Sequence, residues 1–295
     1  MLTLNPKELP IPVLQGYLVS AIAPRPVAFV STVDKNGNIN LSPFSFFNAF
    51  SSNPPVLVFS PARSGRTNST KHTHDNVLEV PEAVINVVTF DMVHQTSLSS
   101  TEYPKEVNEF TKSGFTMLPS EKIKPPRVKE SPVQIECKVT EVIELGKNPG
   151  AGNLVICEVL LIHISESALN EKRFIDQNKM DLVGRLGGNW YVRASGSSLF
   201  EVPKPTSHLN IGVDNLPQRI RNSSVLTGNN LGQLGSVEKM PDKEQIKKYK
   251  DSHLKDIFAN QNARGLETEL HIYAKKLLDE GRIEEGWKTL LANTD

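Results

Sequence analysis

Two long runs of β-forming residues, "VQIECKVTEVIEL" at 133–145 and "NLVICEVLLIHIS" at 153–165, restrict the fold of this chain more than anything else in it. Both are dense in Val, Ile and Leu, and the segment joining them, "GKNPGAGN", consists mostly of residues that turn a chain rather than extend a strand. So short a link cannot hold the crossover that a parallel pair requires, so the two runs predict one antiparallel ribbon.

The remaining strand candidates fit the same architecture. "VAFVSTVD" at 27–34 is rich in β-branched and aromatic residues, and Asn36-Gly37 is a tight-turn signal before an extended run resumes at Ile39, so this region predicts a hairpin. "VLVFSP" at 56–61 and "AVINVVT" at 83–89 add further strands. Short helices are expected near "TNSTKHTHDNVL" (67–78), where Ser and Thr offer caps, and around "DMVHQTSLSS". Regular crossover helices of about 10 to 15 residues are missing between the strands, which argues against a doubly wound sheet and for a mainly β, antiparallel barrel. "GRLGG" at 184–188 lacks the strand-then-helix frame of a dinucleotide fingerprint.

After about residue 203 the composition shifts. "VPKPTSHLNIGVDNLP" reads as a proline-punctuated connector, and from Asp242 the sequence turns helical, with Leu266, Leu270, Tyr273 and Leu277 on one face. Gly281 is placed to stop that helix before a second one through Trp287 and Leu291. The expected division is a barrel domain over 1–203 and a connector with a C-terminal helical extension over 204–295, the latter packing on the barrel or on a partner subunit.

Charge restricts the partners. The 33 basic and 33 acidic residues cancel, so no global field draws in nucleic acid or an anionic membrane, and a bound anion has to be held locally. The apolar run "PIPVLQGYLVSAIAP" is broken by prolines, Gln15 and Gly16 and has no basic leader, so it reads as neither signal peptide nor membrane span, and a cytoplasmic location is expected. Cys137 and Cys157 lie inside strand runs and read as reduced core thiols, although neighbouring strands would also permit a disulfide.

"NLSPFSFFNAF" at 40–50 carries the first sign of a site. Pro43 cannot donate to a ladder, so the strand is expected to end or bulge there and leave amides free beside Ser42, Ser45 and the apolar faces of Phe44, Phe46 and Phe47. Such a place suits a flat heteroaromatic ring with a polar edge; the same pattern also fits an edge strand whose serines cap a turn. "VLVFSP" then runs into "ARSGRTNSTKHTHDN", where Arg63, Arg66, Lys71, several hydroxyls and a helix start would make a phosphate site or else a solvated loop. His72 and His74 have no Cys or carboxylate cluster at zinc-like spacing, so no metal is expected.

Taken in order, "RPVAFVSTVDKNGNINLSPFSFFNAFSSNPPVLVFSP", "KHTHDN", "INVV", "EVNEF", "ESPVQIECKV" and "RLGGNWY" resemble the flavin reductase-like proteins over roughly residues 10 to 200. The resemblance implies an FMN-binding split β-barrel of antiparallel, Greek-key type. It also implies that Asn40, Ser42, Pro43, Phe44, Ser45 and Phe46 face the flavin ring and that Ser60, Arg63, Lys71 and Thr73 hold the phosphate. His72 departs from the family, which more often has a carboxylate in that place. Hydride from NAD(P)H would pass through FMN to an acceptor, and the chemistry would be the cofactor's. That fits a chain with no Ser-His-Asp order, paired catalytic carboxylates or nucleophilic cysteine in a basic setting.

His163 is the histidine expected nearest the flavin or the nicotinamide phosphates, though it also reads as a satisfied strand residue; Arg185 and Tyr191 either line the site from the far side or form a packed turn. Members of this family resemble homodimers with the flavin near the interface, and an electron-acceptor protein or monooxygenase is the implied partner. Two other functions stay open: a flavoredoxin-like FMN electron carrier with little nicotinamide activity, and a non-catalytic interaction protein.

Overall fold

The structure, a computed structural model, describes residues 1–205, 209–260 and 263–293. Thr206, Ser207 and His208 of the expected connector lie outside the described residues. The chain divides into two compact units, Met1–Phe200 and Glu201–Asp295.

The first unit opens with helix α1 (Ile11–Ala21), followed by strands β1 (Ala28–Val33), β2 (Ile39–Phe44), β3 (Phe47–Ser52) and β4 (Pro55–Phe59). Helix α2 (His72–Glu79) leads into β5 (Glu82–Val87), and the short helices α3 (Val93–Leu98) and α4 (Glu109–Ser113) follow. Two-residue strands β6 (Met117–Leu118) and β7 (Arg127–Val128) precede the long ribbon β8 (Val133–Glu144) and β9 (Asn153–Ile164). Helix α5 (Gln177–Met180) and the hairpin β10 (Leu182–Arg185) and β11 (Tyr191–Ala194) complete the unit.

The ribbon is antiparallel, in register from Val133 opposite Ile164 to Glu144 opposite Asn153, with irregularities between Glu136 and Cys137 and between Val139 and Glu141. Bulges of this kind add twist and bend, which a sheet needs in order to curl. The strand order of the main sheet is β2-β1-β5-β8-β9-β4-β3, every pair antiparallel. Its two edges, β2 and β3, are consecutive in sequence and joined only by Ser45 and Phe46. A seven-stranded sheet can meet that condition only by curling round until its edges face each other, which makes a barrel with an open seam. The Ser60 amide donates to the Phe46 carbonyl at 2.9 Å near the seam, and the Phe44 and Phe59 rings stack with centroids 5.5 Å apart.

β1 is buried along its whole length because both faces are covered. Ala28 and Val30 join Phe44, Phe59, Ile85, Cys137 and Cys157 in one core; Phe29 and Val27 join Leu41, Met92, Phe110, Phe115 and Val183 in another. That double burial explains the nearly unbroken apolar run in the sequence. The β1–β2 turn forms as expected: Gly37 takes the left-handed φ of +86°, and Asp34 Oδ1 accepts from the amides of Asn36 and Asn38, both at 2.9 Å. Both cysteines are free and buried, and Cys137 beside Cys157, together with burial, raises the Cys157 thiol.

The apolar run near the N-terminus forms helix α1. One local expectation changes: β2 runs straight through Pro43 instead of ending there, because β2 is an edge strand, and Leu41 and Pro43 share the outward phase, where no neighbouring strand waits for an amide.

The second unit contains helices α6 (Gln218–Arg221), α7 (Gly228–Gly235), α8 (Lys243–His253), α9 (Lys255–Asn260), α10 (Ala263–Asp279) and α11 (Ile283–Leu291). Capping boxes start α7 at Thr227 and α8 at Asp242. Gly281, at φ +75°, ends the turn of α10 as its position predicts. Gly286 lets α11 lie close on α10, since a Cβ there would come within 2.9 Å of Leu278 Cδ2. Trp287 is fully buried among Leu216, Ile220, Leu234, Leu278 and Leu290, with its Nε1 donating to the Leu234 carbonyl at 3.1 Å. This unit therefore has an apolar core of its own. No helix among the described residues is long and apolar enough to cross a membrane.

Candidate functional site

The candidate site lies at the seam of the barrel. Because β2 is an edge, the outward Leu41 amide has no strand partner, and the buried Glu109 at the start of α4 accepts it at 3.0 Å. Burial raises the Glu109 carboxyl, while the Leu41 N–H pulls it the other way. Beyond that anchor, Ser42, Pro43, Phe44, Ser45 and Phe46 form one wall of a cleft of about 390 Å³. Ser60 and Ala62 after β4, Gln15 and Val19 of α1, Arg185 at the end of β10 and Leu186 after it also line the cleft.

Arg25 holds these walls together. Its Nη1 donates to the carbonyls of Val19 and of Ile22, the latter at 2.7 Å, its Nη2 to Leu186 O at 3.1 Å, and its Nε to Ser45 Oγ at 3.4 Å. The guanidinium carbon lies 5.9 Å from the centroid of the Phe46 ring, which is 43% exposed and presents an open aromatic surface to the cleft. Burial, and then the nearby Arg185, lowers the Arg25 pKa. Arg25 and Arg185 also exchange backbone hydrogen bonds, at 3.0 and 2.8 Å.

A smaller recess of about 140 Å³ shares Ser42, Lys71 and Ser100 with this cleft, so the two are continuous. Asn40, Ser69 to Thr73, Ser99 to Tyr103 and Glu109 line it, so hydroxyls and amides dominate. Asn40 Nδ2 donates to Thr73 Oγ1 at 2.8 Å, which leaves the Thr73 hydroxyl hydrogen free for another acceptor. The recess also meets the N-terminus of α2, whose N-cap is Lys71 and which has no side-chain cap, so its first amides stay available. Lys71 Nζ donates to Glu102 at 2.7 Å, and Arg66 lies 3.7 Å from the same carboxylate. The hydrogen bond from Lys71 lowers the Glu102 pKa.

Asn40, Ser42, Pro43, Phe44, Ser45, Phe46, Ser60, Lys71 and Thr73 thus gather around one continuous cavity. Arg63 does not line it: its Nε donates to Asn68 Oδ1 at 2.8 Å and its Nη2 to Asn68 O at 2.5 Å, which fastens the 63–68 loop instead. His163 does not line it either. Asn153, at the start of β9, donates its amide to Ser60 Oγ at 3.1 Å, and His163 lies ten residues further along that strand, roughly 30 Å away at ~3.3 Å per residue. There His163 Nε2 pairs at 2.7 Å with the fully buried Glu136, which also accepts the amides of Glu121 and Lys122.

Arg185 reaches the cleft, whereas Tyr191 lies under its guanidinium at 4.6 Å and lines a neighbouring groove with Phe90 and His94. His72 lines the recess; His74 is buried against Asp75. Among the described residues, no group of three His, Cys, Asp or Glu side chains is placed to hold a metal ion.

Arg25 is the main residue that sequence reading passed over. Its one local signal is a charged side chain at the entry to a strand buried on both faces, where it has to find partners. Those partners, Val19, Ser45 and Leu186, are scattered along the chain.

A curled antiparallel sheet with an open seam, a cleft at that seam and a hydroxyl-lined recess beside it defines the class, a split β-barrel. Comparison with known proteins agrees. Residues 20–181 match the family described as "Flavin reductase like domain", and the chain belongs to the flavin reductase-like family. An uncharacterized protein of Aquifex aeolicus is 36% identical over 196 residues, spanning 66% of this chain and 97% of that one. Nitrilotriacetate monooxygenase component B from Bacillus cereus is similar in structure with a TM-score of 0.64 and 32% identity, over 68% of this chain and 98% of that chain. Flavoredoxin of Desulfovibrio vulgaris shares the fold with a TM-score of 0.53 at 23% identity, over 62% of this chain and 92% of that chain. Family membership supports a flavin cofactor.

Proposed function

We propose that the chain binds FMN at the barrel seam and acts as an NAD(P)H-dependent oxidoreductase that delivers electrons to an acceptor. The observation that carries this reading is the continuity of an aromatic-walled cleft with a recess of hydroxyls and free helix amides, through Ser42, Lys71 and Ser100. FMN has this same division, a flat ring system joined by a short polyol to a phosphate.

When bound, the flavin would supply the redox chemistry, accepting hydride from a nicotinamide and passing the electrons on. The chain's own residues bind and orient. Phe46 offers apolar surface to the ring, with Phe44 buried behind it, and Ser42 and Ser45 offer hydroxyls to its polar edge. Arg25 fixes Ser45 and the 186 turn around it. Thr73, with its hydrogen freed by Asn40, donates to the phosphate together with the first amides of α2, and Lys71 neutralises part of its charge. Glu102 is more than half exposed, so it can leave Lys71 when a competing dianion arrives. His163 is assigned no catalytic part, since its ring serves the buried Glu136.

A homodimer fits this reading. Leu160, Ile162 and Ile164 alternate along the outward face of β9 and leave an exposed apolar stripe on the ribbon. The similarity to a monooxygenase component favours a monooxygenase as the electron acceptor, and that to flavoredoxin sustains a second reading as an FMN electron carrier. An anaerobic absorbance titration separates them. Flavin bands that bleach with NADH or NADPH support the reductase; bound flavin that stays oxidised supports the carrier; absence of flavin binding overturns both.

A further inference from the structure

The second unit contains a cleft of its own, open and about 720 Å³, between the segment around α6 and one face of α10. Arg219, Asn222, Ser223, Glu267, Thr268 and His271 line it, and the flavin reading makes no use of them. Two buried nitrogens on its wall, Arg219 Nε and His271 Nε2, have no hydrogen-bond partner.

The hydrogen bonds around Ser223 determine what kind of partner is missing. Ser223 Oγ accepts the amides of Val225 at 3.1 Å and Leu226 at 3.2 Å, which occupies both of its lone pairs. Its hydroxyl hydrogen therefore goes to His271 Nδ1, 2.7 Å away, which makes Nδ1 an acceptor. Burial, His271 being 5% exposed, favours the neutral ring and lowers its pKa, with Glu267 opposing the shift and Arg219 adding to it. A neutral ring that accepts at Nδ1 carries its proton on Nε2.

Both orphans are therefore donors, and Arg219 is always charged. Its Nη2 is engaged elsewhere, donating to Leu290 O at 2.7 Å. The Glu267 carboxylate lies close by, 3.8 Å from Arg219 Nη1 and 3.9 Å from His271 Nε2, outside hydrogen-bond range of both. Glu267 is 44% exposed and so free to swing towards solvent. The protein's own carboxylate thus hovers beside two unsatisfied, buried donors whose residues line a cleft.

We infer that this cleft is a binding site for a small carboxylate ligand, which displaces Glu267 and accepts from Arg219 Nε and His271 Nε2. The chemistry is that of paired charge-assisted and neutral donors on a planar oxyanion. Ser223 acts as a positioning residue, because it sets the tautomer that makes His271 a donor.

The test uses the full chain, with acetate as probe and inorganic phosphate alongside, followed by calorimetry and by the imidazole nitrogen resonances of His271. Acetate is expected to bind and to shift the His271 Nε2 signal while Nδ1 keeps its acceptor signature. Glu267→Gln is expected to tighten acetate about tenfold by removing the competing charge, a gain that loss of structure cannot mimic. Arg219→Gln is expected to abolish binding. Phosphate binding more tightly than acetate, with the same response to Glu267→Gln, would keep the oxyanion site and overturn the carboxylate assignment. No shift with either probe, or a Glu267→Gln variant that binds acetate no better than the wild type, overturns the proposal and leaves ordered water as the partner of the two nitrogens.

Discussion

Replacing Arg25 by Ala tests the seam most directly. Helix α1 has no buried residue, so apolar packing does little to keep it against the barrel. Arg25 supplies the fastening, donating to Val19 O and Ile22 O at the C-terminal end of α1, where a cation also meets the negative end of the helix dipole. A third bond ties in Leu186 O. Hydrogen bonds to a charged group contribute ~1.5 to 3 kcal/mol each, and water takes over part of this at the exposed helix carbonyls. The loss should therefore come to about 2 to 4 kcal/mol, short of the full sum of three bonds. Urea unfolding of the full chain measures it, provided the transition of the barrel unit is followed separately. Hydrogen exchange should also show the α1 amides losing protection, because the helix would be released even where the barrel stays folded. Arg25→Lys keeps the charge but not the fork, so it should restore a minor part of both effects. An Arg25→Ala protein within ~0.5 kcal/mol of the wild type, with α1 protection unchanged, would refute the reasoning, since effects that small are typical of surface substitutions.

Three further outcomes are expected. Lys71→Ala should weaken FMN by ~1 to 3 kcal/mol with little change in unfolding, and an unchanged affinity in a fluorescence titration would remove Lys71 from the phosphate site. His163→Ala should leave FMN affinity within about twofold of wild type, because the ring is bound to Glu136 at the far end of β9; a tenfold loss would mean that the strand geometry misleads. Asp34, held at a pKa of about 2 by the Asn38 side chain first and then by the turn amides and Lys105, is depressed from an unfolded value of ~3.9. Its stabilising contribution is therefore complete above the unfolded value and is lost as pH falls from there through about 2, so Asp34→Asn should flatten that part of an acid unfolding profile.

Strands were legible in the sequence where one physical cause dominated. The β8–β9 ribbon announced itself because the two runs are long and the Gly- and Pro-rich link between them is short. β1 did so because burial on both faces leaves no polar alternation to confuse the pattern. The course of the chain through Pro43 was misread, since whether a proline breaks a strand depends on whether that strand is an edge, a property of the whole sheet order. The site divided in the same way. Residues clustered in one stretch, such as Ser42 to Phe46, line one cleft together, whereas Arg25 binds Leu186, 161 residues away. Arg63 shows the converse: a basic residue beside a phosphate-like segment was drawn off by Asn68, five positions later. For His163 the residue type suggested chemistry, whereas in the fold its ring pairs with the buried Glu136 away from the cleft.

The link of Ser45 and Phe46 between the two edges of the sheet has a mechanical meaning. From Phe44 to Phe47 the chain advances three residues, so the ends of β2 and β3 cannot move further apart than about 10 Å at ~3.5 Å per step. Other open sheets leave their margins free to recruit a neighbour's strand. Here a leash keeps each margin in the other's company even when the seam breathes, and a protease cut between residues 45 and 46 would release both at once without removing a single ladder bond.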